Sequence, residues 1–216
     1  IETSQIDFRV TPNHRMLVRK NDKNGIKEDG WSFVEAGDLY EYCNYELPHG
    51  WSMDHGSGLT QTVDFYSLVQ QYTDADITLS DGGTKIAAKF GIPNINRYID
   101  VNDLLKFLAW FITEGNTYRA KTANHRVKIA QDDDYNRNEI ETIVSRLVDY
   151  YYVGERSVSF SSKLWADLLD ALCGKGSKEM RIPDFVYNAS EEQKRTFLQT
   201  LLDGDGDVQV NAWRYT

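Results

Sequence analysis

The sequence predicts an α+β fold, and three observations carry that expectation. Near the start, Ile6, Phe8 and Val10 alternate, Thr11-Pro12-Asn13-His14 makes a turn, and Met16-Leu17-Val18 resumes an extended run. Alternating runs about a Pro-Asn turn are hairpin chemistry. Further on, Leu104, Leu105, Leu108, Phe111 and Ile112 recur at helical spacing, and so do Phe197, Leu198, Leu201 and Leu202. Between them, residues 116 to 130 alternate polar and apolar over two runs broken near Thr122-Ala123-Asn124, the pattern of a β-hairpin with one open face.

Composition sets the outer bounds. With 216 residues, 41% hydrophobic and 12% aromatic, the chain can bury a substantial core. No apolar run reaches the length of a membrane span, and Lys106 interrupts the longest candidate. The opening Ile1-Glu2-Thr3-Ser4 lacks the features of a signal peptide. Cys43 and Cys173 are far apart and show no ligand-like spacing with the four histidines, so reduced thiols and a cytoplasmic setting are expected. The net charge of −9 is awkward for a partner of nucleic acid, whose phosphates need cations. Its distribution matters more than its sum. Residues 117 to 131 hold Arg119, Lys121, Arg126 and Lys128 without an acid, and Asp132-Asp133-Asp134 follows at once.

In chain order, Asn21 to Gly30 is a polar turn carrying the hairpin signal Asn24-Gly25. Residues 31 to 48 suggest a strand, a short helix near Glu35 to Leu39, and an extended run to Pro48. A glycine-rich loop is expected to follow to Gly58, with His49 and His55 expected to face solvent. In the stretch 60 to 99, Val63 to Tyr72 predicts a helix, Asp81-Gly82-Gly83 a turn, and Thr84 to Phe90 a helix or strand. Accessory insert and scaffold are both open for it. Asn138 to Tyr150 is a further amphipathic helix; Tyr150 to Tyr152, Val158 and Phe160 are strand-like; Leu164 to Leu172 is helical.

The two motif helices end alike. Each apolar pattern runs into an acid next to a glycine: Glu114-Gly115 in one, and Asp203-Gly204-Asp205-Gly206 in the other. Asn102 and Ser190 are expected N-caps, Ser190 with Gln193 as a capping box. Gly115 and Gly204 are expected at C-caps that take positive φ. Ala109 with Thr113, and Thr200 with Gly204, are small residues four apart, so the helices can approach closely. That packing would set Glu114 beside Asp205 at helix C-termini, where the macrodipole and mutual repulsion disfavour anions. A cation relieves both, and Mg²⁺ is the natural hard ion for carboxylate oxygens. An EF-hand loop starting at Asp203 fails, because Val208 and Arg214 stand where glycine and glutamate are needed.

Leu198, Leu201, Leu202, Asp203, Asp205 and Gly206 fall in register with the motif of LAGLIDADG homing endonucleases, and Ala109 with Glu114-Gly115 resembles its first copy. The resemblance implies two αββαββα repeats whose sheets form a saddle over double-stranded DNA. It makes Glu114 and Asp205 the catalytic acids that hold two or three Mg²⁺ ions, and Arg119, Lys121, His125, Arg126 and Lys128 the DNA contacts. The stretch VTPNHRMLVR resembles the Thr-x-x-His block of inteins, in which Thr11 and His14 would polarise the N-terminal splice junction and protonate the departing amine. Residues 174 to 183 resemble the Lys/Arg-Ile-Pro block before the second motif. There Lys178 and Arg181 are candidates to assist the metal site, although Met180 stands where a lysine is common.

The expected organisation is therefore a partial all-β splicing (Hint) domain at 1–48, a linker or accessory insert at 49–97, and an endonuclease domain at 98–216 with an incomplete second repeat. The partners implied are duplex DNA and the exteins of a host protein. Alternatives are a free-standing LAGLIDADG endonuclease and a non-cleaving DNA-binding protein of the same fold. Neither a first-residue Cys or Ser nor a terminal His-Asn pair is present, so an internal fragment is expected, unable to splice and poor at cutting.

Overall fold

A computed structural model describes residues 10–20, 30–41, 45–47, 57–88, 95–119, 125–176, 178–209 and 212–215, with backbone alone for 40, 41, 88, 206–209 and 212–215. Lys121, Cys43, His49 and His55 lie outside the described residues. The chain divides into two compact units, 1–54 and 55–216. Among the described residues, five α-helices and several wholly antiparallel sheets make it α+β, as composition and patterning predict. No helix among the described residues is long and apolar enough to cross a membrane.

In the first unit, β1 (Arg15–Lys20) pairs with β2 (Ser32–Glu35) on one side and β3 (Tyr45–Glu46) on the other. The expected short helix is a 3₁₀ segment over Ala36–Glu41. Thr11 to His14 is a tight turn closed by the His14 N–H donating to the Thr11 carbonyl at 3.0 Å. The His14 and Pro12 carbonyls accept from the N–H groups of Ala36 and Gly37, both at 2.7 Å, so the turn is laced to the end of β2. Residues 1–9, the other expected strand, lie outside the described residues.

The second unit opens with β4 (Thr62–Asp64), which leads into α1 (Phe65–Tyr72), so the expected helix starts two residues late. Asp64 is why: its side chain caps α1 through the Tyr66 N–H and takes the Arg97 guanidinium, which leaves it extended. Three short strands follow: β5 (Ile77–Ser80), β6 (Lys85–Ala88) and β7 (Ile95–Asn96) in one sheet. β8 (Tyr98–Asp100) pairs with β4 and delivers the chain into α2 (Val101–Glu114).

β9 (Gly115–Arg119) and β10 (His125–Ala130) form the expected hairpin. After α3 (Asp134–Leu147), β11 (Tyr152–Gly154) and β12 (Ser157–Ser161) complete a four-stranded sheet in the order β11-β12-β10-β9. Then come α4 (Lys163–Cys173), α5 (Glu191–Asp205) and the hairpin of β13 (Gly206–Gln209) with β14 (Ala212–Tyr215).

One core runs through this unit. α2 crosses it, burying Leu104, Leu105, Phe107, Leu108, Trp110 and Phe111. Each such side chain contributes roughly 1.5–3 kcal/mol by leaving water. Trp165 of α4 stacks at 4.3 Å on Phe65 and meets Phe107 edge-on at 5.0 Å. Phe65, Val69, Ile77, Ile86 and Ile95 belong to the same cluster, so the stretch from 60 to 99 contributes side chains to this core.

Candidate functional site

α2 and α5 form the most extensive helix–helix contact among the described residues, and Gly204 lies in it. A Cβ on Gly204 would stand 2.3 Å from Thr113 Oγ1 and 2.8 Å from Thr113 Cβ. Gly204 and Thr113, two members of the small-residue stripe, are thus in contact as the spacing predicts. The stripe's glycine serves proximity and not turn geometry: Gly204 lies inside α5, and Gly115 has φ −92° as α2 passes straight into β9. Both expectations of a positive-φ C-cap are corrected. Positive φ is needed instead at Gly174, which caps α4 with φ +84°.

The N-caps divide in the same way. Ser190 and Gln193 make the capping box, with the Ser190 N–H donating to Gln193 Oε1 at 2.9 Å and the Gln193 N–H to Ser190 Oγ at 3.3 Å. Gln193 also takes the Leu59 N–H at 2.9 Å and donates back to its carbonyl at 3.0 Å, tying α5 to the start of the unit. For α2 the cap is Asp100, not Asn102. Its carboxylate accepts the N–H groups of Asn102 and Asp103 at 2.8 and 3.3 Å, and an ionised acceptor suits the positive helix terminus better than an amide does.

Glu114 and Asp205 occupy the last turns of these two helices, both half-buried. Burial raises the Glu114 pKa above its ordinary value, and the charges of Asp205 and then Asp132 raise it further. Burial raises Asp205 as well. Repulsion between the two carboxylates is the expected consequence of pairing them. A cavity of about 800 Å³ opens beside Asp205, walled by Gly115, Asn116 and Thr117 of β9 and by Gly174, Lys175, Gly176 and Arg181 after α4.

The basic candidates are sorted by this cavity. Lys178 is exposed and does not line it, whereas Arg181 does. The Arg181 guanidinium donates to the Ala171 carbonyl at 2.5 Å, and its N–H to the Cys173 carbonyl at 2.8 Å. Lys175, which sequence reasoning passed over, also lines the cavity; its place directly after the Gly174 cap was the available signal. Asp203 points elsewhere: Gln199 donates to its carboxylate at 2.9 Å, and Asn136 to its carbonyl at 3.3 Å.

The expected DNA contacts fall on two faces of the sheet. Arg126 pairs with Tyr118 and Ser161, and Lys128 with Asn116 and Ser159, so all six side chains share one face. Arg126 and Lys128 are exposed, while the alternate residues Val127 and Ile129 are 0% and 1% exposed in the core. Arg119 and His125 pair with each other and belong to the face that α4 covers. There Arg119 forms ion pairs with Asp167 and Asp170, both at 2.7 Å, and Asp170 also takes the Thr117 hydroxyl at 2.7 Å. The turn-forming Thr11 and His14 are both exposed.

No family model matches the chain. Over 120 residues it is 29% identical to a DNA polymerase of Thermococcus kodakarensis, covering 52% of this chain and 7% of the polymerase. DNA polymerases of Thermococcus sp. (strain GE8) and Thermococcus aggregans are 27% identical over 118 and 110 residues. The similarity therefore spans about half of this chain and only 6–7% of each of these relatives.

Proposed function

We propose that the chain belongs to an intein carrying a LAGLIDADG-type homing endonuclease, which makes metal-dependent cuts in double-stranded DNA. The observation that carries this reading is the convergence of Glu114 and Asp205 at the adjacent C-termini of α2 and α5, with Gly204 against Thr113. Two acids held at the ends of helices, each disfavoured as an anion, are an arrangement that a cation stabilises. The similarity to DNA polymerases supports the intein half, because it is confined to 7% of the polymerase, a short segment of a much longer reading frame.

The donor set suits a hard ion. Mg²⁺ is usually held by one or two carboxylates, with waters and substrate phosphates completing its shell. Glu114 and Asp205 would hold the ion, which supplies Lewis-acid polarisation of a phosphate and a more acidic bound water. Lys175 and Arg181, on the cavity wall, stabilise negative charge on a phosphate placed beside Asp205. The fixed helix ends hold the carboxylates in one relative geometry, so little reorganisation is needed when charge develops. In the splicing unit, the turn from Thr11 to His14 would present an imidazole and a hydroxyl to the junction peptide.

The reading is tested by thermal melts of the chain with millimolar Mg²⁺ or Mn²⁺. Wild type should be stabilised, while Glu114→Gln and Asp205→Asn should fold and lose the response. An unresponsive wild type would overturn the metal site. For splicing, His14→Ala in a precursor should stall N-terminal cleavage; unimpaired splicing would leave Thr11 to His14 as a scaffold turn.

A further inference from the structure

Two walls of the cavity beside Asp205 come from separate segments, β9 and the residues after α4, and one residue of α4 holds both. Asp170 lies in the last turn of α4, its side chain 16% exposed. Its carboxylate accepts the Thr117 hydroxyl at 2.7 Å, which grips the β9 wall, and the Arg119 guanidinium at 2.7 Å. Its carbonyl accepts the Gly174 N–H at 3.1 Å, which anchors the first residue of the other wall. Lys175 follows directly. The turn that carries it is closed from its far side as well. A Cβ on Gly174 would stand 2.0 Å from the Glu179 carbonyl oxygen, and the Arg181 N–H donates to the Cys173 carbonyl at 2.8 Å.

An acid near a helix C-terminus is disfavoured by the macrodipole unless a cation accompanies it. Arg119 is that cation, so Asp170 keeps its carboxylate there with both oxygens engaged. The two cations of the cavity lining are held differently. The Arg181 guanidinium is tied to the Ala171 carbonyl, whereas Lys175 makes no hydrogen bond or ion pair among the described residues. Lys175 is therefore placed by its backbone alone, and that backbone hangs from Asp170. Two cations against the one acid Asp205 favour an anion in the space between them.

We propose that Asp170 is a positioning residue of the candidate site. By bridging Thr117 to Gly174 it sets the place of Lys175 against the β9 wall, and so holds the ammonium where a DNA phosphate would lie beside Asp205. This role rests on the proposed reading of the cavity as a phosphate site. A long side chain binds better from a fixed anchor, because less freedom is lost on contact.

Binding of a labelled random-sequence duplex to the full chain, titrated over a range of salt, tests this. Each phosphate contact contributes about 0.9 to the slope of log K against log salt. Lys175→Ala should lower that slope by about one. Thr117→Val removes the bond to Asp170 and leaves every charge in place; it should also lower the slope by about one. Thr117→Ser keeps the hydroxyl and should restore it. The double variant Thr117→Val with Lys175→Ala should lose no more than Lys175→Ala alone. If Thr117→Val melts below the assay temperature, Thr117→Ala reads the same bond. A folded Thr117→Val chain with the wild-type slope overturns the positioning role, and so do additive losses in the double variant. In both cases the phosphate site stands, because Lys175→Ala still lowers the slope. An unchanged slope in Lys175→Ala, or a wild type that binds no duplex, overturns the phosphate site and the positioning role together.

Discussion

The helices α2 and α5 supply one carboxylate each to the candidate site, yet they are held in opposite ways. α2 buries nine of its 14 residues and runs through the core, whereas α5 buries only Phe197, Thr200 and Leu201 of its 15. One helix is fixed by hydrophobic packing over most of its circumference. The other is fixed along a narrow stripe, by a capping box and by the close approach at Gly204. The difference teaches that the position of Glu114 is set by the core, and that of Asp205 by a few local contacts.

The sharpest way to break this comparison is on the embedded side. Phe107→Ala should cost about 3–5 kcal/mol in chemical denaturation, through a cavity next to Trp165 and Phe160. Gly204→Val should cost about 1–3 kcal/mol, since its methyl groups must displace Thr113. It should also remove the metal-dependent rise in melting temperature, because Asp205 moves with the helix. A Gly204→Val chain that keeps wild-type stability and metal response would mean that α5 is not held at this point. Gln193→Ala should cost about 1 kcal/mol, by opening the capping box and the two bonds to Leu59.

The carboxylates predict a pH dependence with a definite sign. The Glu114 pKa lies above its ordinary 4.5 in the folded chain, so the unfolded state releases that proton first. Its contribution to stability is complete below about pH 4.5 and is lost as pH rises through the folded value. In metal-free buffer, Glu114→Gln should flatten this decline and raise the melting temperature at pH 7. An unchanged profile would show that the pair is not strained. The smallest effect is expected at Cys173, whose buried thiol is pushed up to about 12. Iodoacetamide at pH 8 should leave it unmodified in the native chain and label it fully in denaturant.

How much was legible in advance varied with how local each signal was. The helical spacing of Leu104 to Ile112, the capping box of Ser190 with Gln193, and the hairpin alternation from Asn116 to Ala130 all reappear as elements. Each depends on neighbours within a few residues. Asp100 displaced Asn102 as a cap because the choice turned on where β8 delivers the chain. The place of Lys175 after the Gly174 cap is a local signal, but it does not reveal the nearness of Asp205, because that cavity is walled by residues of α2, β9 and α5 together with the segment after α4.

The sequence by itself determined the α+β class, the contact of Gly204 with Thr113 and the acids at the two helix ends, because periodicity and residue size decide them. The tertiary structure decided which basic residues are available. Arg119 and Arg126 look alike in a linear basic ribbon, but strand pairing turns them to opposite faces. One meets Asp167 and Asp170 of α4, and the other stays open to solvent. A side chain's charge is written in the sequence, whereas the partner that neutralises it comes from an element some 50 residues away.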